Sequence, residues 1–447
     1  MNNPPNVKLV VENQWCMGCG VCEAACPSTA IKLVTDAKIG VPVPKINEIR
    51  CNGCGTCLRI CYGYNIDQII NRRKSTSLLD YAVGNFANCY IGYAKDKLLR
   101  RSSSSGGVIT ALLLYALEKR LIDGAIVTRM EAGNPPKARA FIATTADEII
   151  SAAGSKYCPV SFAESLTNLE EGKRYAVVGL PCHIYGIKKL AKSNPKIRKC
   201  IYLYLGLLCG GMPSFLATLY LLKTYKMEGE CISKFEYRGG EWPGRLLIEG
   251  KMPSNQQVKV SVPYPEYWRN AYEFFFPYVC TLCTEGFNKL ADVSIGDAWF
   301  QDSTKLHKNN VSLIITRTET GERIILDAFQ NKIIQITPIN AEDILKCQQG
   351  LIQFKFLTFR ARVILYRILK KKIPVFNLDK VPITGLWGYI SAITLHVGRS
   401  LALRKRLWWL FNIYVSGYSF VKIVKNYEVK IREKIGKFLN KVRKTDL

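Results

Sequence analysis

The sequence predicts an α+β protein in three parts: a small cysteine-rich domain, a larger mixed α/β domain and a basic helical tail. Three observations carry this reading. Eight of the 17 cysteines fall in two runs before residue 62. Between residues 81 and 350, helix-like and strand-like segments alternate, as a mixed α/β domain requires. Beyond residue 354 the charge changes: residues 355–447 hold a balance of +17 out of +28, leaving +11 for everything before them. With 447 residues, 48% of them hydrophobic, the chain has the length for about three domains and the apolar content for a packed core. The boundaries expected are 1–70, a polar linker at 71–84, 85–350 with an internal split near 165, and a tail at 351–447.

The first domain is read from its cysteines. The chain does not open with a basic segment followed by an apolar run, so no secretion signal is expected. Cysteines in a cytoplasmic chain point to metal ligation rather than disulfides. Cys16, Cys19, Cys22 and Cys26 follow C-x2-C-x2-C-x3-C, and Cys51, Cys54, Cys57 and Cys61 repeat that spacing 35 residues later. Soft thiolates so spaced hold three corners of a cubane, while the fourth cysteine reaches the neighbouring cluster. One 4Fe–4S cluster is therefore assigned to Cys16, Cys19, Cys22 and Cys61, and the other to Cys51, Cys54, Cys57 and Cys26. Gly18, Gly20, Gly53 and Gly55 would let the backbone turn tightly round the sulfurs. The competing assignment is a pair of four-cysteine zinc sites, although zinc seldom uses eight cysteines in two interlocked runs. The second run ends in Cys61-Tyr62 where the first has Cys26-Pro27, a change expected to affect the turn more than ligation. Residues 8–70 resemble bacterial-type two-cluster ferredoxin domains, which implies a ferredoxin-like fold that relays single electrons.

In the second domain a serine–glycine turn opens an apolar helix of about 15 residues after Gly107, and Gly124 leads into a strand at Ala125–Thr128. Thr145 and Glu148 form a capping-box pattern for a short helix ending at Gly154. Strands are expected at Arg174–Leu180 and Cys200–Leu208 with a helix between them, then at Gly244–Glu249, Val258–Val262, Val293–Ile295 and Val311–Ile315. Neither GxGxxG nor GxxxxGK followed by Ser or Thr occurs, so a Rossmann dinucleotide site and a P-loop have no sequence support.

Several short stretches carry a second resemblance: Tyr90-Ile-Gly-Tyr93, the run 104–118, Gly154-Ser-Lys-Tyr157, Val178 to His183, Leu208 to Ser214, Cys280-Thr-Leu-Cys283 and Ala291 to Trp299. In this order they resemble the beta subunit of coenzyme F420-reducing hydrogenase and its relatives, which include plant 7-hydroxymethyl chlorophyll a reductase. The resemblance implies a flavin, usually FAD with FMN the alternative, held beside iron–sulfur clusters. The residues fit this. Ser104, Ser105, Gly106 and Gly107 precede an apolar helix whose free amides would face an anion such as a flavin pyrophosphate. Ser155, Lys156 and Tyr157 add a hydroxyl, a cation and a ring, and Asp297 at a strand end could bond the flavin, orient a cysteine loop or cap the next segment. Taken alone, each motif also reads as an ordinary helix start, surface turn or cap.

Cys182, Cys209, Cys280 and Cys283 form a third four-thiolate set, which the resemblance supports as a 4Fe–4S site; free thiols or zinc are the alternatives. Cys182 and Cys209 each follow an expected strand, which would set them on neighbouring loops at one sheet edge. With three histidines in the chain, a histidine metal site is excluded. His183 and Lys156 are the candidate proton-transfer residues, with packing the competing role for His183.

The tail segments 360–373, 404–414 and 421–442 set apolar residues opposite lysines and arginines, and Trp408 and Trp409 suit the headgroup depth of an anionic inner membrane face. Packing on the body or on a partner is the alternative, and nucleic-acid binding lacks a reader motif. The whole describes an iron–sulfur flavoprotein oxidoreductase acting on an unidentified small molecule. Its redox partner would be a ferredoxin or another reductase, and it is expected to be a homo-oligomer. An electron-relay subunit without its own substrate and a zinc-dependent binding module are the rival readings.

Overall fold

The computed structural model describes residues 5–71, 77–228, 231–251, 257–268, 271–299 and 310–418. In the amino-terminal unit each cysteine run forms the same turn. Gly18 and Gly20 take φ of 76° and 79°, and Gly53 and Gly55 take 69° and 66°, a left-handed conformation that only glycine adopts at little cost. The second glycine of each pair caps a four-residue helix, Val21–Ala24 in one repeat and Thr56–Arg59 in the other. Between the repeats β1 (Ile31–Asp36) pairs antiparallel with β2 (Val41–Ile46). Val7, Val10, Ile31, Cys57 and Leu58 make the small core beneath.

The body is built on an eight-stranded sheet. Its strands are β3 (Cys89–Ala94), β4 (Gly124–Glu131), β5 (Lys137–Ala143), β6 (Tyr175–Gly179) and β7 (Ile201–Leu207). A separate three-stranded antiparallel sheet of β8 (Cys231–Gly239), β9 (Arg245–Lys251) and β10 (Gln257–Pro263) follows. The chain then returns to the main sheet as β11 (Val293–Asp297), β12 (Ser312–Thr316) and β13 (Ile334–Pro338). The order across the main sheet is β13-β3-β12-β11-β7-β6-β4-β5. Its centre, β11-β7-β6-β4, is parallel, and antiparallel strands flank both sides. Parallel strands need both faces covered. Helices Val108–Glu118 and Glu319–Gln330 bury one face with Ala125, Val127, Leu203 and Ile295. Helix Pro181–Ser193 buries the other, with Ile126, Val177 and Tyr204. The capping box at Thr145 and Glu148 forms as its sequence requires, and its helix runs Ala146–Ser151.

Two expected boundaries differ. The helix Leu78–Val83, capped by Ser77, buries Tyr81, Ala82 and Val83 against Phe287 and Phe356, so the second half of the expected linker is part of the body. No break in packing falls at 350 either, because the helix Gln349–Ile352 crosses it. Residues 351–418 fold back over the body, burying Phe356, Phe359, Val363, Tyr366, Leu395, Trp408, Phe411 and Val415. Trp408, expected at a membrane headgroup, is 3% exposed, and its Nε1 donates to the Ala402 carbonyl. Tyr220 packs edge-on against its ring and in turn against Phe411, in one buried cluster that makes this burial favourable. The apolar–basic run 421–442 lies outside the described residues.

Candidate functional site

The two repeats bring their cysteines together across the pseudo-symmetric turns. Burial raises the pKa of Cys22 well above that of a free thiol, and Cys19, Cys16, Cys61 and Cys57 push it further. Cys16 is raised by burial and by Cys61 and Cys19. Cys16, Cys19, Cys22 and Cys61 therefore share one electrostatic neighbourhood. Cys26 lines a small cavity with Cys51, Cys54 and Cys57, beneath the Gly53–Gly55 turn. In the first set, crowded, buried thiols that raise each other's pKa are stabilised as thiolates by a bound cation, so the donor chemistry fits a metal cluster. Among the described residues, no three His, Cys, Asp or Glu side chains converge on a point that one metal ion could occupy.

The third set forms at the carboxyl edge of the parallel strands. Cys182 is the second residue of the helix that follows β6, and Cys209 lies two residues past β7, its neighbour in the sheet. The Cys209 amide donates to the Gly286 carbonyl at 2.9 Å, which ties this loop to the segment after Cys280 and Cys283. Burial raises the Cys182 thiol strongly, and Cys19, Cys209, Cys280 and Cys283 add to it. The presence of Cys19 in that field sets the first amino-terminal group beside the third. Close backbone docking holds them so: the Phe162 amide donates to the Cys19 carbonyl at 3.0 Å. A Cβ on Gly20 would meet Ser161 Oγ at 2.0 Å, and one on Gly186 would meet Val21 at 3.0 Å.

Tyr62, whose place in the sequence points to no more than a changed turn, spans the same junction. Its ring is buried edge-on against Tyr185, and its hydroxyl lies 3.4 Å from Cys283 Sγ, which also accepts the Glu285 amide at 3.3 Å. A hydrogen bond to a cluster sulfur is one of the levers on reduction potential.

Against the Cys209 loop lies a cavity of about 1060 Å³. Its floor includes Ser104, Ser105, Gly107 and the first residues of helix Val108–Glu118, and its walls include Ser155, Lys156, Tyr157, Tyr264, Asp297 and Trp299. The fit to a flavin nucleotide rests on three features: this volume, the free amides of an 11-residue helix, and an aromatic wall in which Tyr157 stacks on Tyr264 and Tyr264 on Trp299. Ser104 Oγ accepts the Ser155 amide at 2.8 Å, so the two expected phosphate loops are one structure.

Four of the expected site residues are engaged by partners within the protein. Gly106 does not line the cavity: its amide donates to Ser312 Oγ at 3.0 Å, and a Cβ there would strike the Gly92 carbonyl at 2.6 Å. It lets the turn approach the sheet. The Asp297 carboxylate accepts from Arg238 Nη1 at 2.7 Å and Trp242 Nε1 at 3.2 Å, so it fixes Arg238 beneath the Tyr264 and Trp299 rings while bordering the cavity. His183 is buried and stacked on Phe162, with Nδ1 accepting the Leu180 amide and Nε2 donating to the Val160 carbonyl. Burial lowers its pKa to about 4, and both nitrogens are engaged within the protein at the margin of the cavity. Lys156 lines the cavity, but its Nζ donates to the carbonyls of Ala152, Ala153 and Gly154, which close the preceding helix. Burial lowers its pKa to about 7. Sequence reasoning missed Arg238 and Tyr62, because nothing local marks a side chain whose partners lie 59 and 221 residues away.

Doubled glycine–cysteine turns beside a third buried thiol set define the class, an iron–sulfur redox protein. Profiles of the coenzyme F420 hydrogenase/dehydrogenase beta subunit match the chain, the N-terminal one over residues 89–167 and the C-terminal one over 172–342, and a 4Fe–4S dicluster domain matches residues 15–63. The chain belongs to that family of beta subunits, with a 4Fe–4S dicluster domain at its amino-terminal side. It is 28% identical to coenzyme F420-dependent sulfite reductase of Methanocaldococcus jannaschii over 76% of this chain, and it spans about half of that relative, 49% of its length. It is also 28% identical to one of the subunits of the F(420)H(2) dehydrogenase of Methanosarcina mazei, over 72% of this chain and 84% of that protein. A chain in a solved F420-reducing nickel–iron hydrogenase complex of Methanosarcina barkeri aligns with a TM-score of 0.46 and 20% identity, covering 61% of this chain and 91% of that one.

Proposed function

We propose that the protein passes electrons from its two amino-terminal 4Fe–4S sites through a third site at Cys182, Cys209, Cys280 and Cys283 to a flavin in the large cavity. The observation that carries this is the shared wall: the Cys209–Met212 loop belongs both to the third thiol set and to the cavity lining. When bound, the clusters supply one-electron steps and the flavin couples them to two-electron chemistry. The chain's own residues do the rest. Cys16, Cys19, Cys22 and Cys61, and Cys51, Cys54, Cys57 and Cys26, would hold the first two clusters. Ser104, Ser105, Gly107, Ser155 and Lys156 would hold the phosphates, and Tyr157, Tyr264 and Trp299 would enclose the ring system, FAD before FMN given the cavity's volume. The substrate is a small molecule that reaches the flavin, and the names of the relatives make coenzyme F420 the first candidate to try. A relay subunit within a larger assembly is the alternative, favoured by relatives named as subunits. Anaerobic purification tests the reading. About 12 irons per chain, from three four-iron clusters, with flavin released on denaturation supports it; zinc without flavin refutes it.

A second reading concerns attachment. Leu386, Ile390, Ile393 and Val397 form an exposed stripe on the helix Leu386–Ala402, with Trp387, Trp409 and Ile413 exposed beside it. Tyr414 OH donates to the Thr394 carbonyl and joins the two helical segments. Lys370, Lys371, Lys372, Arg404, Lys405 and Arg406 are exposed nearby in sequence, and no Asp or Glu occurs from 380 to 418. An apolar face with indoles, flanked in sequence by cations, suits an anionic membrane surface. Among the described residues no helix is long and apolar enough to cross a membrane. Flotation with anionic but not neutral vesicles, abolished by Ile393→Glu, is the expected result; equal recovery with both vesicle types refutes it.

A further inference from the structure

The carboxy-terminal segment brings buried positive charge to the third thiol set. Residues 353–357 form a wide π-helical turn, Gln353–Leu357, a rare geometry often found at functional positions. The turn buries consecutive side chains: Lys355 is 1% exposed and Phe356 fully covered, while Phe354 faces the large cavity. One turn further on, Arg362 is buried under the Cys280–Cys283 loop. Its Nε donates to the Thr281 carbonyl at 2.7 Å, between the two cysteines, and its Nη2 to the Phe354 carbonyl. Arg399, on the helix Leu386–Ala402, is buried with Nε donating to the Phe276 carbonyl at 2.7 Å, just before the same loop. Three cations from one segment thus stand behind one set of four cysteines. All three lie beyond residue 342, where the matched family segment ends.

Burying a cation costs several kcal/mol unless a negative partner is present. Both arginines satisfy part of that need with backbone carbonyls. Lys355 is different: the charges that act on it are those of Cys283, Cys209 and Cys280, and Arg362 opposes them. Arg362, whose Nε holds the Thr281 carbonyl and whose Nη2 holds the Phe354 carbonyl, ties the Lys355 turn directly to the Cys280–Cys283 loop. One buried acid, Glu285, acts on Cys209 in the opposite sense, and Arg317 faces Glu285. Glu273 also acts on Arg362, so these two acids stand against four cations, Lys355, Arg362, Arg399 and Arg317.

We infer that Lys355, supported by Arg362 and Arg399, is a charge-compensating residue for a cluster held by Cys182, Cys209, Cys280 and Cys283. It would make that cluster the easiest of the three to reduce. The inference rests on the third-site reading above. Reduction by one electron, delivered from the amino-terminal sites, adds one negative charge to the cluster, and a fixed cation in a low-dielectric surround favours that form. The electron gradient then points toward the cavity. The part of the expected basic tail from Lys355 to Arg399 thus contributes to the redox core.

The test uses the full chain, reconstituted anaerobically, with iron analysis and a redox titration followed by electron paramagnetic resonance. Cys182→Ala identifies the third-site signal: about 12 irons fall to about eight and one signal is lost. If wild type and Cys182→Ala bind equal iron, the third-site reading fails and this inference with it. With the signal identified, Lys355→Met is expected to lower its reduced-to-oxidised ratio about tenfold at the wild-type midpoint, equivalent to about 59 mV for a one-electron couple. Lys355→Arg restores it. Loss of the third cluster in Lys355→Met but not in Lys355→Arg supports the same conclusion. An unchanged midpoint in Lys355→Met at full iron content overturns it, as does loss of the cluster in both variants, which would make shape and not charge the requirement.

Discussion

Lys156 is where a single side chain ties fold to chemistry. Its ammonium closes the helix Ala146–Ser151 through three carbonyls and also lines the cavity, and burial brings its pKa down to about 7. A bound phosphate favours the protonated amine, so the free protein loses a cationic contact as pH rises through that value, and binding takes up a proton. FAD affinity is therefore expected to be higher at pH 6 than at pH 9. Lys156→Met should flatten that dependence, and Lys156→Arg should hold binding at pH 9, as checked by calorimetric titration of flavin-free protein. Gly20 offers a second residue-scale test. Gly20→Ala meets both a left-handed φ and the Ser161–Ala163 backbone, whereas Gly172→Ala at φ 84° meets nothing within 4 Å. Backbone strain alone costs about 1–3 kcal/mol. Denaturant unfolding should therefore show a clearly larger loss for Gly20→Ala than for Gly172→Ala. Equal losses would mean that the docking contact adds nothing. That the cysteines would gather in groups was legible in the sequence, because their spacing is local or follows strand ends. Arg238, Tyr62 and Lys355 were not, since each acts across the fold on a partner that no local pattern marks.

At the scale of elements, the strands expected at 125–128, 174–180, 200–208, 244–249, 258–262, 293–295 and 311–315 all form within a few residues of those bounds. Strong β-branched runs in buried strands announce themselves. β5 and β8 escaped because charged residues interrupt them, Lys137 and Arg139 in one and Lys234, Glu236 and Arg238 in the other. β13 is five residues long at a sheet edge. The carboxy-terminal helices were recognised as helices, but periodicity cannot say what an apolar face touches. Two adjacent indoles show this. Trp408 is buried and Trp409 is 62% exposed. Trp408→Ala is expected to destabilise the protein by about 3–5 kcal/mol, and Trp409→Ala by less than about 0.5 kcal/mol. Similar small effects in thermal unfolding would show that the 404–418 segment does not pack on the body.

Across the whole molecule, the amino-terminal unit, the sheet edge and the carboxy-terminal segment converge on one place. Cys19 and Tyr62 come from the first, Cys182 and Cys209 from the second, and Lys355 and Arg362 from the third. On the proposed route, electrons reach the cavity through the third thiol set. The direct measurement is stopped-flow mixing of the flavin-loaded protein with a reduced one-electron donor, following flavin bleaching in wild type and in Cys182→Ala. Cys182→Ala is expected to keep its flavin and its two amino-terminal clusters while bleaching slows severely. Bleaching at the wild-type rate in that variant would contradict a route through the third set.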